Sequence, residues 1–159
     1  MSGNLRVLVL CTGNSARSQM AEGILRHDCG DRFEVHSAGN RPSRVRPEAI
    51  QVMAEIGIDI TAQRSKHVRE FAGQRFDYVI TVCDQAREAC PTIPGVVQKL
   101  HWSIDDPAAV EGAVEGDQQR RLMAFRAARD ELRKVLRAGV APLAPPAKPA
   151  RKGRGRADP

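Results

Sequence analysis

The sequence predicts an α/β fold: an open, four-stranded, mainly parallel sheet with helices on both faces. Three observations carry that reading. The apolar run Leu5 to Leu10 is followed by a tight loop and then by Ser18 to His27, a stretch rich in Ala, Glu, Leu, Met and Gln that favours helix. Phe76 to Val82 is a near-continuous run of β-branched and aromatic residues, as expected of a central strand covered on both faces. Near the end of the chain, Leu122, Phe125, Leu132, Val135 and Leu136 form one apolar stripe at helical spacing.

The elements follow in order. Leu5 to Leu10 is the first strand, and the first helix begins beyond the loop at 11 to 17. Phe33 and Val35 alternate with polar neighbours before Ala38-Gly39-Asn40 breaks the run, which makes a short second strand. Two strands separated by a helix suggest a parallel pair joined by a crossover. Pro47 opens the next helix, Ala49, Ile50, Met53, Ala54 and Ile56 supply its apolar period, and Gly57 ends it. A further short helix is placed around Val68 to Phe71. The strand at Phe76 to Val82 ends at Cys83, a short helical stretch covers 84 to 89, and Cys90-Pro91 stops it. Val96 to Trp102 is the fourth strand, leading into Asp105-Asp106-Pro107. A Gly-rich acidic loop follows, Asp117 caps the last helix, and Gly139 is expected to terminate it.

Composition sets the outer bounds. A chain of 159 residues suits one domain, and a 42% apolar content suits a folded one. The domain is assigned to residues 1–138. Residues 139–159, rich in Pro, Ala and basic side chains, read as a disordered tail. The last twenty residues hold five basic side chains against Asp158 alone, four of the net six positive charges. The charge therefore belongs to the tail, and nucleic acid is not expected as a partner. No apolar run approaches the roughly 18 residues needed to span a membrane, Leu5 to Leu10 being only six long, and no signal peptide is legible. A cytoplasmic monomer is expected. In that compartment Cys11, Cys29, Cys83 and Cys90 stay reduced, so they serve as reactive, ligating or idle thiols rather than a disulfide frame.

The chemistry concentrates at Cys11-Thr12-Gly13-Asn14-Ser15-Ala16-Arg17, followed by Ser18. A loop between a strand and a helix N-terminus turns its amides inward beside the positive end of the helix dipole, making a socket for a tetrahedral oxyanion. The same donors should favour thiolate over thiol at Cys11. Arg17 adds a planar fork that matches two oxyanion oxygens. The loop is not a nucleotide P-loop, which needs Gly-Lys-Ser/Thr at its end. Cys83 and the carboxylates at 105 and 106 also fall at strand ends, the edge where open α/β sheets bind ligands. A buried structural role for Cys83 and Cys90 is the plain alternative; zinc is disfavoured because no Cys-x2-Cys pair exists.

These motifs resemble the thioredoxin-coupled arsenate reductases, which share the low-molecular-weight protein tyrosine phosphatase fold. The resemblance rests on Cys11 to Gly23, Ser37-Ala38-Gly39, Gly57 to Ile60, Val82-Cys83-Asp84 with Cys90-Pro91, and His101-Trp102 with Asp105 to Ala108. It implies that Cys11 attacks arsenic, with Arg17 and the loop amides of residues 12–18 binding the oxygens and Asp106 as the acid. It also implies that Cys83 and then Cys90 carry the disulfide to thioredoxin, an external dithiol, with no bound cofactor or metal. If residues 83 to 90 are helical, the two cysteines lie roughly 10 Å apart at about 1.5 Å per residue. A disulfide needs about 7 Å or less between Cα atoms, so this segment is expected to unwind during turnover.

The alternative the same loop allows is a phosphatase, with Asp106 as acid and water as second nucleophile. That chemistry has no use for Cys83 and Cys90, and Ala108-Ala109 stand where a tyrosine ring would be gripped by aromatics. A simple anion-binding module is the other. Some relatives bind potassium with Asn, Glu, Ser and Asp; Asn14, Glu22, Ser37 and Lys66 occupy those positions here. The Lys66 ammonium is expected in the cation's place, bonded to Glu22 and Asn14.

Overall fold

The computed structural model describes residues 4–83, 98–107 and 118–143. The expected helix at 84–89, Cys90, the loop before the last helix with Asp117, and the tail from 144 onward lie outside the described residues. Four strands, β1 (Leu5–Leu10), β2 (Phe33–Ala38), β3 (Tyr78–Thr81) and β4 (Gln98–His101), form one sheet in the order β2-β1-β3-β4, and every pairing is parallel. The helices are α1 (Arg17–Cys29), α2 (Pro47–Glu55) and α3 (Gln118–Val140), with a 3-10 turn at Val68–Phe71. This is the expected α/β architecture.

Burial explains the strand order. Val7, Leu8, Val9 and Leu10 of β1 are buried on both faces, as are Val79, Ile80 and Thr81 of β3. Two such strands must sit in the interior of the sheet. The more exposed β4 takes an edge, where polar side chains can face water. Helices α1 and α3 pack on one another, as do α2 and α3. Charged contacts reinforce those seams. Asp28 of α1 accepts from Arg133 at 2.8 Å and pairs with Arg137 of α3 at 3.3 Å, and Glu55 of α2 pairs with Arg126 at 2.7 Å and Arg129 at 2.9 Å.

Two details depart from the sequence reading. β3 and β4 are shorter than the apolar runs that announce them, although Phe76 and Val82 beyond the ends of β3 are still fully buried. Gly139 does not end the last helix, which continues to Val140. A Cβ at Gly139 would stand 2.3 Å from the Trp102 ring. The glycine lets the Trp102 indole lie against the helix, so Trp102 is a packing residue. Gly57, by contrast, has φ +80 and terminates α2 as read.

The order β2-β1-β3 fixes where ligands can bind. From β1 the chain moves to one side to make β2, then returns to the other side to make β3. The carboxyl ends of β1 and β3 therefore flank the topological switch point. Leu10 pairs with Thr81 there, which brings Cys11 and Cys83 together on adjacent strand ends.

Candidate active site

The loop between β1 and α1 is held by its carbonyls. Thr12 O accepts from Arg41 N at 2.9 Å, Gly13 O from Ser43 N at 3.2 Å and Ser65 Oγ at 3.1 Å, and Ser15 O from Arg46 N at 2.9 Å. No described peptide is cis. In a trans peptide the N-H points opposite its carbonyl, so the amides of Gly13, Asn14 and Ala16 face away from those outer partners, into the loop.

Asn14 makes the loop turn. It adopts φ 46, a left-handed conformation that asparagine tolerates better than most side chains, and it is fully buried. Its Nδ2 donates to Ser18 Oγ at 2.8 Å and Ser37 Oγ at 3.0 Å, while its Oδ1 accepts from Gln19 Nε2 at 3.0 Å and Lys66 N at 2.9 Å. Every polar atom of the side chain is thus engaged, as burial demands. Ser37 Oγ donates onward to Glu22 Oε1 at 2.5 Å, and Arg26 pairs with Glu22 Oε2 at 2.7 Å.

Lys66 differs in part from expectation. Its ammonium stands 3.9 Å from Glu22 Oε1 and donates to Arg64 O at 3.0 Å. The bond to Asn14 comes from its backbone N-H instead of its Nζ. Burial holds the Lys66 pKa below the ordinary lysine value, against the pull of Glu22. Arg26, which the sequence reading did not single out, is the closer counter-charge to Glu22.

Arg17 starts α1 and reaches across the end of the sheet. Its Nη1 donates to Ile104 O at 2.9 Å and its Nη2 lies 3.6 Å from Asp106 Oδ2. Its Nε is buried with no hydrogen-bond partner among the described residues. An unmet donor beside inward amides suits an oxyanion ligand. Asp106 arrives by a short path: Ile104 N bonds Val82 O at 3.0 Å, hanging the 103–107 segment on the end of β3. A cavity of about 450 Å³ opens beside it, walled by Ser103, Asp105, Asp106, Ala124, Ala128 and Glu131.

The two described strand-end cysteines meet. Cys83 Sγ accepts from Thr12 N at 3.4 Å and shares a hydrogen bond with Thr12 Oγ1 at 3.4 Å. Both Cys11 and Cys83 are buried free thiols. Here the expectation of a lowered Cys11 pKa is corrected. A hydrogen bond with Cys83, followed by burial, pushes the Cys11 thiol up, and Arg17 opposes them without prevailing. The sequence showed the donors that favour the thiolate but not the second sulfur competing for its proton.

Of the predicted site residues, the structure brings together Cys11, Thr12, Gly13, Asn14, Ser15, Ala16, Arg17, Ser18, Cys83 and Asp106; Cys90 lies outside the described residues. Two residues quoted only as parts of motifs, with no role given them, support the loop. Gln19, fully buried, ties Asn14 O at 3.0 Å to Arg64 O at 2.9 Å. Gly39 lies against the loop so closely that a Cβ would be 2.5 Å from both Cys11 O and Thr12 O. A buried glutamine two residues past Arg17 and a glycine after a strand were the available signals.

A parallel sheet that presents a cysteine in an amide-lined loop with an arginine defines a thiol protein built to handle oxyanions. The chain belongs to the low molecular weight phosphotyrosine protein phosphatase family, whose pattern it matches over residues 6–145. Among similar proteins, the arsenate reductase of Halalkalibacterium halodurans is 42% identical over 131 residues, 82% of this chain and 91% of its own. That of Bacillus subtilis is 39% identical over 129 residues, 81% and 90% of the two chains. A solved arsenate reductase in its phosphate-binding state superposes with a TM-score of 0.69 at 30% identity, covering 88% of this chain and 99% of that one.

Proposed function

We propose that this protein reduces arsenate to arsenite through a thiol-disulfide relay of Cys11, Cys83 and Cys90, with thioredoxin or a similar small dithiol protein as reductant, in the cytoplasm. Cys11 passes its thiol proton to the incoming arsenate dianion as its sulfur attacks arsenic and forms an S-As bond, while Asp106 gives a proton to the departing oxygen, which leaves as water. Arg17 Nε and the loop amides hold the remaining oxygens as charge gathers. Cys83 then attacks the Cys11 sulfur. The S-As electron pair stays with arsenic, so As(V) becomes As(III) as the Cys11-Cys83 disulfide forms. Cys90 attacks Cys83 and frees Cys11, and the external dithiol reduces the Cys83-Cys90 disulfide.

The observation that carries this reading is the position of Cys83, a second buried sulfur at the end of the strand next to Cys11 and bonded to Thr12 of the loop. Hydrolysis of a phosphate ester needs a water there and has no role for a thiol. The named relatives support the substrate, and a thioredoxin-dependent arsenate reductase of Corynebacterium glutamicum, 27% identical with a TM-score of 0.56 over 85% of this chain and 63% of that one, supports the reductant. Cys11→Ser tests the nucleophile: arsenate turnover is abolished while phosphate still binds. Retained turnover would rule out Cys11 as the attacking group.

A further inference from the structure

Residues 40 to 46 form one wall of the loop, and that wall is basic. Its backbone is stitched to the socket by Arg41 N to Thr12 O, Ser43 N to Gly13 O and Arg46 N to Ser15 O. Arg41 and Arg44 are exposed and Arg46 is half-buried. None of the three takes part in an ion pair among the described residues, in contrast to Arg26, Arg64, Arg126, Arg129 and Arg133, each of which meets a carboxylate within 3 Å. The nearest acid in sequence, Glu48, is engaged by Arg121 at 3.4 Å. Asp106 stands 3.6 Å from Arg17 at the end of the loop, with Asp105 next to it in the chain.

We infer that Arg41, Arg44 and Arg46 form a cationic rim that captures small oxyanions from solution and delivers them to the Cys11 to Arg17 loop, raising the rate of arrival and leaving the chemical step alone. Direct backbone contact keeps the three charges within about two Debye lengths of the loop, one Debye length being about 8 Å at physiological ionic strength. Charges of one sign around a concave mouth raise the local concentration and on-rate of an oppositely charged ligand about 10- to 1000-fold at low salt. Among the described residues three arginines are partly countered by two aspartates, which places the effect at the lower end of that range.

As applied to arsenate, the inference rests on the proposed function. As a statement about the field at the mouth, it does not. The rate at which Cys11 is alkylated by anionic iodoacetate, divided by the rate with neutral iodoacetamide, reads that field directly, because any change in the thiol's own pKa cancels in the ratio. Peptide mass mapping restricts the reading to Cys11. At about 10 mM ionic strength the triple variant Arg41→Gln, Arg44→Gln, Arg46→Gln should show a ratio about three- to tenfold below wild type. The triple Lys variant should stay within about twofold of wild type, and salt should erase the difference. In arsenate turnover the Gln variant should lose kcat/KM by a similar factor with kcat unchanged. An equal alkylation ratio in wild type and the Gln variant at low salt overturns the rim. A Lys variant that behaves like the Gln variant overturns it too, since the effect would then be one of shape. Loss of turnover in every form, with the ratio still falling in the Gln variant, would count against arsenate reduction and leave the rim standing.

Discussion

Gly39→Ala should damage the oxyanion loop from outside it. The glycine is clamped: its N-H donates to Lys66 O at 3.0 Å and its carbonyl accepts from Val68 N at 2.9 Å. A Cβ there would stand 2.5 Å from Cys11 O, 2.5 Å from Thr12 O and 3.0 Å from Asn14 N. All three are backbone atoms, so no side chain can swing aside. The first two contacts are about 0.9 Å short of ordinary packing distance, and relief requires moving the nucleophile's own peptide by about that amount. A displacement of about 1 Å at a reacting group costs on the order of 100-fold in rate. Overpacking costs about 1–3 kcal/mol, which lowers Tm by roughly 2–10 °C in a chain of this size. Single-turnover arsenite formation and thermal unfolding measure the two effects. The alanine variant should lose turnover by about two orders of magnitude with a modest fall in Tm, and phosphate should protect its Cys11 poorly from alkylation. Turnover within twofold of wild type at unchanged Tm would refute the close-approach argument.

Two further outcomes follow from the charged groups. Cys83→Ser should lower the Cys11 pKa, because the first of the influences that raise it is the Cys83 hydrogen bond and Arg17 remains to pull it down; the pH midpoint of Cys11 alkylation should fall, and a midpoint that rises would contradict the pairing. Asp28 is held well below the usual carboxylate range, chiefly by its hydrogen bond from Arg133, with His27 and Arg137 adding to it. A depressed folded pKa contributes stability above the unfolded value of about 3.9 and loses it as pH falls toward the folded one. Asp28→Asn should therefore cost about 1–2 kcal/mol at pH 7, and its gap to wild type should narrow as pH drops below 4; a gap that widens in acid would be inconsistent with the bridge between α1 and α3.

Much of the site was legible because local sequence dictates it. A buried apolar strand, a seven-residue loop and a helix that starts at Arg17 place the nucleophile, the amides and the arginine from one stretch. The parallel sheet was legible from two doubly buried strands, Leu5–Leu10 and Tyr78–Thr81. What the sequence hid was contact between distant segments. Gly139 reads as a terminator until Trp102 is seen lying on it. Lys66 reads as a side-chain donor to Asn14, but the backbone N-H arrives first because the 64–66 segment is pinned by Gln19 and Ser65. The Cys11 pKa was misread because an adjacent sulfur, 72 positions away in the chain, decides it. Spacing within a motif predicts donors well, whereas competition for a proton depends on neighbours that only the fold supplies.

The relay itself is tested most directly by steady-state arsenate reduction with thioredoxin, thioredoxin reductase and NADPH, comparing wild type with Cys83→Ser and Cys90→Ser. Both variants should lose multiple turnover. Cys90→Ser should still release about one equivalent of arsenite and stop as the Cys11-Cys83 disulfide, and Cys83→Ser should release none. Full multiple-turnover activity in both variants would contradict the three-cysteine relay.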